Sequence, residues 1–177
     1  LFLNTANRNY ELIPIFKDYK FVIIDSNTQR ILSDSNFNQK KELCYSAAKN
    51  MNVENLCVKS KIGEHDIQSL SDDELSVSKH VIEENIRVVK AAQFLKSNGA
   101  EEFGKLMTES HMSLSKYYKV STLELDKLVD LANSFGALGS KLTGAGFGGA
   151  IVTLVEKELV EELKKYILNN YPNAKFI

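Results

Sequence analysis

The sequence has little cysteine, proline or arginine, and each shortage excludes a class of protein. Its two cysteines, Cys44 and Cys57, form no C-x-x-C pair, so neither a disulfide framework nor a zinc site is encoded. A reducing, cytoplasmic location is therefore expected. With two prolines and no glycine- or serine-rich tract in 177 residues, no flexible linker divides the chain. No apolar run approaches the ~20 residues that span a bilayer.

Arginine is scarce, since only three of the 22 basic residues are arginines and the rest are lysines. The 23 acidic residues bring the net charge to −1. This balance argues against a basic nucleic-acid groove, and it leaves few side chains for bidentate phosphate binding. Any bound phosphate is therefore expected to be held mainly by backbone N–H groups. The chain starts with Leu1 rather than Met, which predicts a piece of a longer protein.

Strand patterns occur at both ends of the chain, around a helical centre. The predicted strands are Leu12–Ile15, Tyr19–Asp25, Ala137–Thr143, Ala150–Val155 and a short edge strand at Lys175–Ile177. The β-branched run in Tyr19–Asp25 favours a central position in the sheet. This order predicts an α+β fold, in which a small antiparallel sheet is covered by helices on one face.

Helical signals fill the middle and return near the end of the chain. An N-cap at Ser33–Ser35 precedes an apolar stripe formed by Leu43, Ala47 and Met51. Further helices are predicted over Ser78–Ser97 with Gly99 as C′, around Phe103–Tyr117, from a Ser121–Glu124 capping box to Gly136, and over Glu156–Asn169 with a Glu161–Lys165 pair. The inward band of the long helix should include Val81, Ile82, Val88, Val89, Ala92 and Leu95. A second capping box is predicted at Ser71–Glu74.

The segment Leu142–Gly149, sequence LTGAGFGG, has four glycines within six residues. Such density indicates close backbone approach or repeated positive φ. The spacing of Gly144, Gly146 and Gly149 fits G-x-G-x-x-G, but a strand follows where a dinucleotide fold needs a helix. No P-loop sequence is present either. From spacing alone, a glycine-rich hairpin bend without a ligand remains an alternative.

This glycine segment resembles the third conserved motif of the GHMP small-molecule kinases. Within that group, Glu102–His111, Val120–Asp126 and Gly139–Lys141 are similar to galactokinases, and Tyr19–Ala48 resembles the start of the galactokinase C-terminal half. The similarity covers nearly the whole chain. It implies a small ferredoxin-like antiparallel sheet and the C-terminal part of an enzyme that uses ATP and Mg²⁺ to phosphorylate D-galactose to galactose 1-phosphate.

The resemblance also implies which groups lie elsewhere. Galactokinases carry their sugar signature, phosphate loop and catalytic base in an N-terminal half, so no catalytic residue and no metal ligand is expected in this chain. The expected nucleotide-binding residues are Thr143, Gly144, Ala145, Gly146, Phe147, Gly148 and Gly149. Phe37 stands where galactokinases usually have a sugar-contacting tyrosine, and Ala6 stands where they have arginine. Valine at Gly146 is expected to lower turnover while leaving the fold largely intact.

Other polar residues have simpler interpretations. Ile62–Asp66 echoes the sugar signature but lacks its flanking residues, so a solvated turn is expected there, and three sequence neighbours suit a metal ion poorly. His80 and His111 fall on predicted helices and are interpreted as packed histidines, since no Ser/Cys–His–Asp arrangement is evident.

Residues 1–18 are predicted to be a strand segment at the junction with an absent N-terminal domain, and 19–177 to be the domain itself. The chain alone should be inactive, and its exposed junction face is expected to favour a dimer. Two rival functions stay open: another GHMP sugar kinase, and a galactokinase-like sensor that binds sugar and nucleotide without turnover.

Overall fold

A computed structural model describes residues 1–28 and 34–177, with side chains from residue 38 onward in the first helix. A four-stranded antiparallel sheet has the order β4-β5-β3-β6. Its strands are β3 (Tyr19–Asp25), β4 (Gly139–Thr143), β5 (Ala150–Glu156) and β6 (Lys175–Phe176). A separate two-stranded hairpin pairs β1 (Phe2–Leu3) with β2 (Tyr10–Glu11). The predicted α+β class is confirmed.

The centre of the sheet is the pairing of β3 with β5, which runs from Tyr19 opposite Glu156 to Asp25 opposite Ala150. This register joins the start of the chain to its last quarter. The prediction that Tyr19–Asp25 is central is confirmed, because β5 and β6 flank it. The predicted edge strand at the C-terminus is also confirmed as β6.

One face of the sheet packs against two helices, α5 (Leu123–Phe135) and α6 (Val160–Asn170). Alternate residues of the strands pack against the apolar sides of these two helices and form one cluster with them. Its fully buried members include Ile24, Ile151, Leu125, Leu128, Leu163 and Ile167. Burial of each such side chain contributes about 1.5–3 kcal/mol. In α6, the predicted Glu161–Lys165 pair is replaced by Glu161 and Lys164, whose charged atoms are 2.7 Å apart.

The remaining helices are α1 (Asp34–Asn50), α2 (Glu64–Ser69), α3 (Asp72–Lys96) and α4 (Ala100–Ser113), and a π-helical turn follows α4 at Leu114–Tyr118. Ala47 and Met51 are buried as predicted, whereas the predicted cap at Ser33 lies outside the described residues. The Ser71–Glu74 capping box is confirmed. In the described part of the chain, no helix combines the length and apolar character needed to cross a bilayer.

Several predicted boundaries and faces were wrong. The long helix α3 begins at Asp72, directly after its N-cap Ser71, rather than at Ser78. Val88 and Val89 are each 47% exposed, because the buried stripe of α3 passes on the other side of the helix. The left-handed residue after α3 is Asn98, with φ of 58°, and Gly99 instead caps α4.

Three further predictions at turns and strand ends were wrong. Leu12–Ile15 is not a strand, since Pro14 lacks an N–H for a ladder and the short strand β2 ends at Glu11. Helix α5 is capped by Thr122, whose Oγ1 accepts from the N–H of Leu125, and not by Ser121. Gly136 ends α5 as predicted, with φ of 108°. The expected solvated turn around Asp66 is the first turn of α2, where a buried carboxylate pairs with Lys59 at 2.6 Å.

Helix α4 lies against the open edge of β4 and approaches its backbone closely. A Cβ added at Gly139 would stand 1.8 Å from the carbonyl oxygen of Gly104, and one at Gly104 would stand 2.3 Å from that of Leu138. Glycine at both positions is what permits this approach. The Oγ1 of Thr108 also receives the N–H of Ser140 at 3.4 Å.

His80 on α3 is buried between helices. Its Nδ1 is 2.9 Å from the Ser113 hydroxyl, and its ring packs on Tyr118 with centroids 4.6 Å apart. Burial disfavours the imidazolium and lowers the pKa of His80 from 6.5 to about 4. The prediction of a packed histidine is confirmed for this residue.

The α4–β4 contact predicts a large cost for one added methyl group. Gly139→Ala should lower the free energy of unfolding by about 2–3 kcal/mol, because backbone must move to admit the Cβ. Gly63→Ala is the control, since its Cβ meets its nearest atom at an ordinary 3.5 Å and should cost less than about 1 kcal/mol. Urea unfolding of both variants measures the difference. Equal losses would contradict the close contact.

The lowered pKa of His80 predicts that the protein becomes less stable in acid. Because its folded pKa is depressed, the unfolded chain binds a proton between pH 6.5 and about 4 that the folded chain does not. The contribution of His80 to the free energy of unfolding should therefore be fully present above pH 6.5. It should decrease as the pH falls through this window, by at most about 1.4 kcal/mol per pH unit. His80→Gln should reduce the slope, and His65→Gln, at an exposed position, is the matched control. An unchanged slope in His80→Gln would refute the assignment.

Candidate functional site

The predicted site lies on the connection between β4 and β5, here called the glycine loop (Gly144–Gly149). Its backbone is left-handed at Gly144, with φ of 84°, and at four consecutive residues with φ of 82°, 57°, 110° and 88°, namely Gly146, Phe147, Gly148 and Gly149. Glycine adopts such angles without steric cost, whereas other residues do so rarely. The clustering of glycine in the sequence therefore serves a tightly curled backbone.

Phe147 is the one side chain within this left-handed run. Its N–H donates to the carbonyl oxygen of Val120 at 2.7 Å, and its half-buried ring packs against the main core cluster. A non-glycine residue at φ of 57° persists when its surroundings hold it in place. The bond to Val120 and the core contact of the ring supply that support.

Gly146 is buried against the same neighbour. A Cβ at this position would lie 2.3 Å from the Val120 carbonyl oxygen. The space left by the missing side chain is therefore filled by Val120 and not by a ligand. The expectation that valine here leaves the fold largely intact therefore lacks support, because the loop itself would be displaced. Gly144 and Ala145, in contrast, are exposed at the tip of the loop, and Thr143 is half-buried at its base.

The exit of the glycine loop is fixed to the end of β3. Ser26, which is fully buried, donates to the carbonyl oxygen of Gly149 from both its N–H, at 2.8 Å, and its hydroxyl, at 2.7 Å. The Tyr171 hydroxyl in turn donates to the carbonyl oxygen of Ser26 at 3.2 Å. No motif in the sequence marks Ser26, and its one signal is its position directly after a predicted central strand.

His111 holds the entry of the loop. Its Nδ1 receives the N–H of Leu142 at 3.2 Å, so Nδ1 is an acceptor and Nε2 carries the proton, which faces Asp126 Oδ1 at 3.1 Å. Burial lowers the pKa of His111, although the Asp126 carboxylate works in the opposite direction. The neutral ring thus joins α4, β4 and α5, and the interpretation as a packed histidine is confirmed.

Ser121, Asp126 and His111 come together without forming a nucleophilic triad. The Ser121 hydroxyl donates to Asp126 at 2.5 Å, and His111 faces the same carboxylate. A triad requires the serine to bond the histidine, which then acts as its base. Here the second histidine nitrogen is taken by a backbone N–H, so no activated nucleophile results.

The side chain of Phe37, the predicted sugar contact, lies outside the part of the chain that the structure describes. Ala6, in the hairpin turn before β2, is exposed. Across residues 1–28 and 34–177, no group of three or more His, Cys, Asp or Glu is arranged to hold a metal ion.

A pocket of about 250 Å³ opens elsewhere, between α3, α4 and the β1–β2 hairpin, and none of its lining residues belongs to the glycine loop. Its walls are mainly apolar, with Glu84, Arg87 and Lys141 at one end. Burial raises the pKa of Glu84, but Lys141 at 3.2 Å, the Ser110 hydroxyl and Arg87 outweigh burial and hold that pKa below its usual value. These charges are thus satisfied by one another rather than directed at a ligand.

Comparison with known proteins places this geometry in a family. Residues 91–173 match the family model for the C-terminal domain of GHMP kinases. The galactokinase of Clostridium acetobutylicum is 39% identical over 160 residues, covering 86% of this chain and 41% of that protein. The galactokinase of Halalkalibacterium halodurans is 37% identical over 180 residues, covering 97% of this chain and 46% of that protein.

A solved structure agrees with these relatives. The Lactococcus lactis galactokinase, in complex with galactose, superposes with a TM-score of 0.87 at 29% identity, over 99% of this chain and 48% of that one. The chain therefore spans less than half the length of the relatives it matches. It belongs to the GHMP kinase family, and the part of that family it carries is the C-terminal domain.

Proposed function

We propose that this chain is the C-terminal half of a galactokinase, which transfers the γ-phosphoryl group of ATP to the anomeric hydroxyl of D-galactose. The sugar oxygen bonds to the γ-phosphorus, and its proton passes to the base of the N-terminal half. The bond to the β,γ-bridging oxygen breaks, which gives ADP and galactose 1-phosphate. The observation that carries the proposal is the likeness to galactokinases over nearly the whole chain, including the glycine loop.

In this proposal Thr143 and the glycine loop form one wall of the nucleotide phosphate site. The Phe147 N–H is already taken by the Val120 carbonyl oxygen, and Gly146, Gly148 and Gly149 are buried. The backbone N–H groups offered to an anion are therefore those of the exposed tip. The exposed tip at Gly144 and Ala145 presents no bulky side chain that would block a phosphate. No basic residue lies between Thr143 and Gly149, so the backbone and the Thr143 hydroxyl are the donors.

The catalytic base and any metal ligands are assigned to an N-terminal half. His80 and His111 are both buried with lowered pKa values and engaged in structural contacts, so neither suits the proton from the sugar. Mg²⁺ neutralises phosphate charge in phosphoryl transfer generally. Because no group of three or more His, Cys, Asp or Glu among the described residues is arranged to hold a metal ion, the proposal assigns the Mg²⁺ ligands to the N-terminal half.

The junction with that half is proposed to include residues 1–18 and the neighbouring part of the sheet. Large apolar side chains are exposed there, among them Leu1, Tyr10, Leu12 and Ile15 at 67–77% and Phe21 and Ile23 at 36–37%. Such a surface suits burial against another domain. In the isolated chain the same surface is expected to favour a dimer. A cytoplasmic location of the whole protein also stays a prediction.

The identity of residue 37 supports an alternative function for the whole protein, as a GHMP kinase of another sugar. Phe37 lacks the hydroxyl of the tyrosine that galactokinases usually carry there, which removes one hydrogen bond worth roughly 0.5–1.5 kcal/mol. Another GHMP sugar kinase therefore stays as the second candidate function. The alternative of a sensor without turnover is separated from both by an activity measurement.

The test joins this chain to the N-terminal half of the Clostridium acetobutylicum galactokinase and measures galactose-dependent ADP release. The joined protein should turn over, and the chain alone should not, because positioning of the γ-phosphoryl group needs both halves. Ala145→Asp should lower kcat/KM for ATP at least about tenfold by placing a carboxylate beside the phosphates. Asn169→Asp, at an exposed position on α6, is the control with the same added charge.

Three results would contradict the proposal. Turnover of galactose by the chain alone would show that the catalytic groups are misplaced. Normal kinetics in Ala145→Asp would remove the glycine loop from the phosphate site. Turnover with another sugar but not with galactose would favour the second candidate function.

A further inference from the structure

Asp126, in the first turn of α5, collects hydrogen bonds from three separate segments. Its Oδ1 faces His111 Nε2 of α4 at 3.1 Å and accepts from the Ser121 hydroxyl at 2.5 Å. Its Oδ2 accepts from the hydroxyl of Ser115, in the π-helical turn, at 3.1 Å. A single carboxylate thus joins α4, the π-helical turn and the segment that leads into α5.

Two of these bonds lead directly to the glycine loop. His111 receives the N–H of Leu142, two residues before the loop begins. Ser121 adjoins Val120, whose carbonyl oxygen receives the N–H of Phe147 at 2.7 Å. Asp126 is therefore connected to the entry of the loop through one path and to its left-handed run through the other.

This connection matters because the loop conformation is not self-supporting. Phe147 occupies a φ of 57°, which costs free energy unless neighbouring contacts fix it. The contacts that fix it from this side are made by Val120, and the position of Val120 follows from where Ser121 is held. A carboxylate that orients Ser121 and His111 together sets the distance between Val120 and β4.

A general effect of negative charge at a helix N-terminus would also favour an acidic residue here. Glu124 occupies the same first turn of α5, so it shares this effect. Its charge thus provides the matched comparison, because the bonds to His111, Ser115 and Ser121 are made by Asp126.

We propose that Asp126 is a positioning residue that sets the glycine loop for phosphate binding. The inference rests on the proposed function, since it assigns the loop to the nucleotide. Asp126 acts through His111 and Ser121 and does not itself touch the phosphates.

Amide hydrogen exchange on this chain, without nucleotide, tests the positioning directly. In Asp126→Ala the Phe147 and Leu142 N–H groups should exchange at least about tenfold faster, because both acceptors lose their support. Asp126→Asn keeps an acceptor oxygen for His111 and Ser121 and should stay near the wild-type rates. Ser121→Ala cuts one path, so it should accelerate Phe147 and spare Leu142.

Glu124→Ala is the control and should leave both amides protected. Unchanged Phe147 exchange in Asp126→Ala and Ser121→Ala would overturn the proposal. The same loss of protection in Asp126→Asn or Glu124→Ala would overturn it too, since charge rather than bonding geometry would then be responsible. If Asp126→Ala fails to fold, Ser121→Ala and Asp126→Asn still decide the outcome.

Kinetics of the joined kinase then separate this inference from the proposed function. Asp126→Ala should lower kcat/KM for ATP at least about tenfold, with recovery in Asp126→Asn, while the KM for galactose changes little. Lower turnover without faster Phe147 exchange would refute positioning and leave the proposed function standing. Faster exchange with normal turnover would show instead that the loop does not serve the nucleotide.

Discussion

The backbone of the edge strand β4 packs directly against the backbone of α4, and much of the structure depends on that contact. Because β4 ends the sheet, the N–H groups of Ser140 and Leu142 point away from β5 and need acceptors. Thr108 and His111 of α4 supply them. The helix comes near enough only because glycines face each other across the contact. The same approach places His111 where it can hold the start of the glycine loop.

The periodic parts of this fold could be predicted from sequence, whereas the contacts between elements could not. The central strand Tyr19–Asp25 and the Ser71 capping box follow local chemistry, so their patterns were sufficient. The cap of α5 was misassigned because Ser121 and Thr122 are both good caps, and the choice depends on the bond from Ser121 to Asp126. The exposure of Val88 depends on the path of α3 over its neighbours, which periodicity alone does not specify.

The candidate site was predicted as a segment, but its internal division was not. The sequence indicated close backbone approach throughout the glycine loop, and the structure assigns that approach at Gly146 to Val120. Only the tip at Gly144 and Ala145 is exposed, and the proposed function assigns the phosphate contact to it. The supports at Ser26 and Asp126 are distant in sequence and carry no motif of their own. In the proposed kinase, a half-site built this way would supply an anion-binding wall, and proton transfer would fall to the N-terminal half.

The central claim is that the glycine loop contacts nucleotide phosphates when both halves are joined. The most direct measurement combines this chain, labelled with ¹⁵N, with an unlabelled N-terminal half and records amide shifts on adding ADP or adenosine. The account predicts that ADP shifts the amides of Gly144–Gly149, that adenosine shifts them far less, and that α6 amides stay unchanged. Loop amides that stay unchanged while ADP binds, or that respond equally to adenosine, would contradict it.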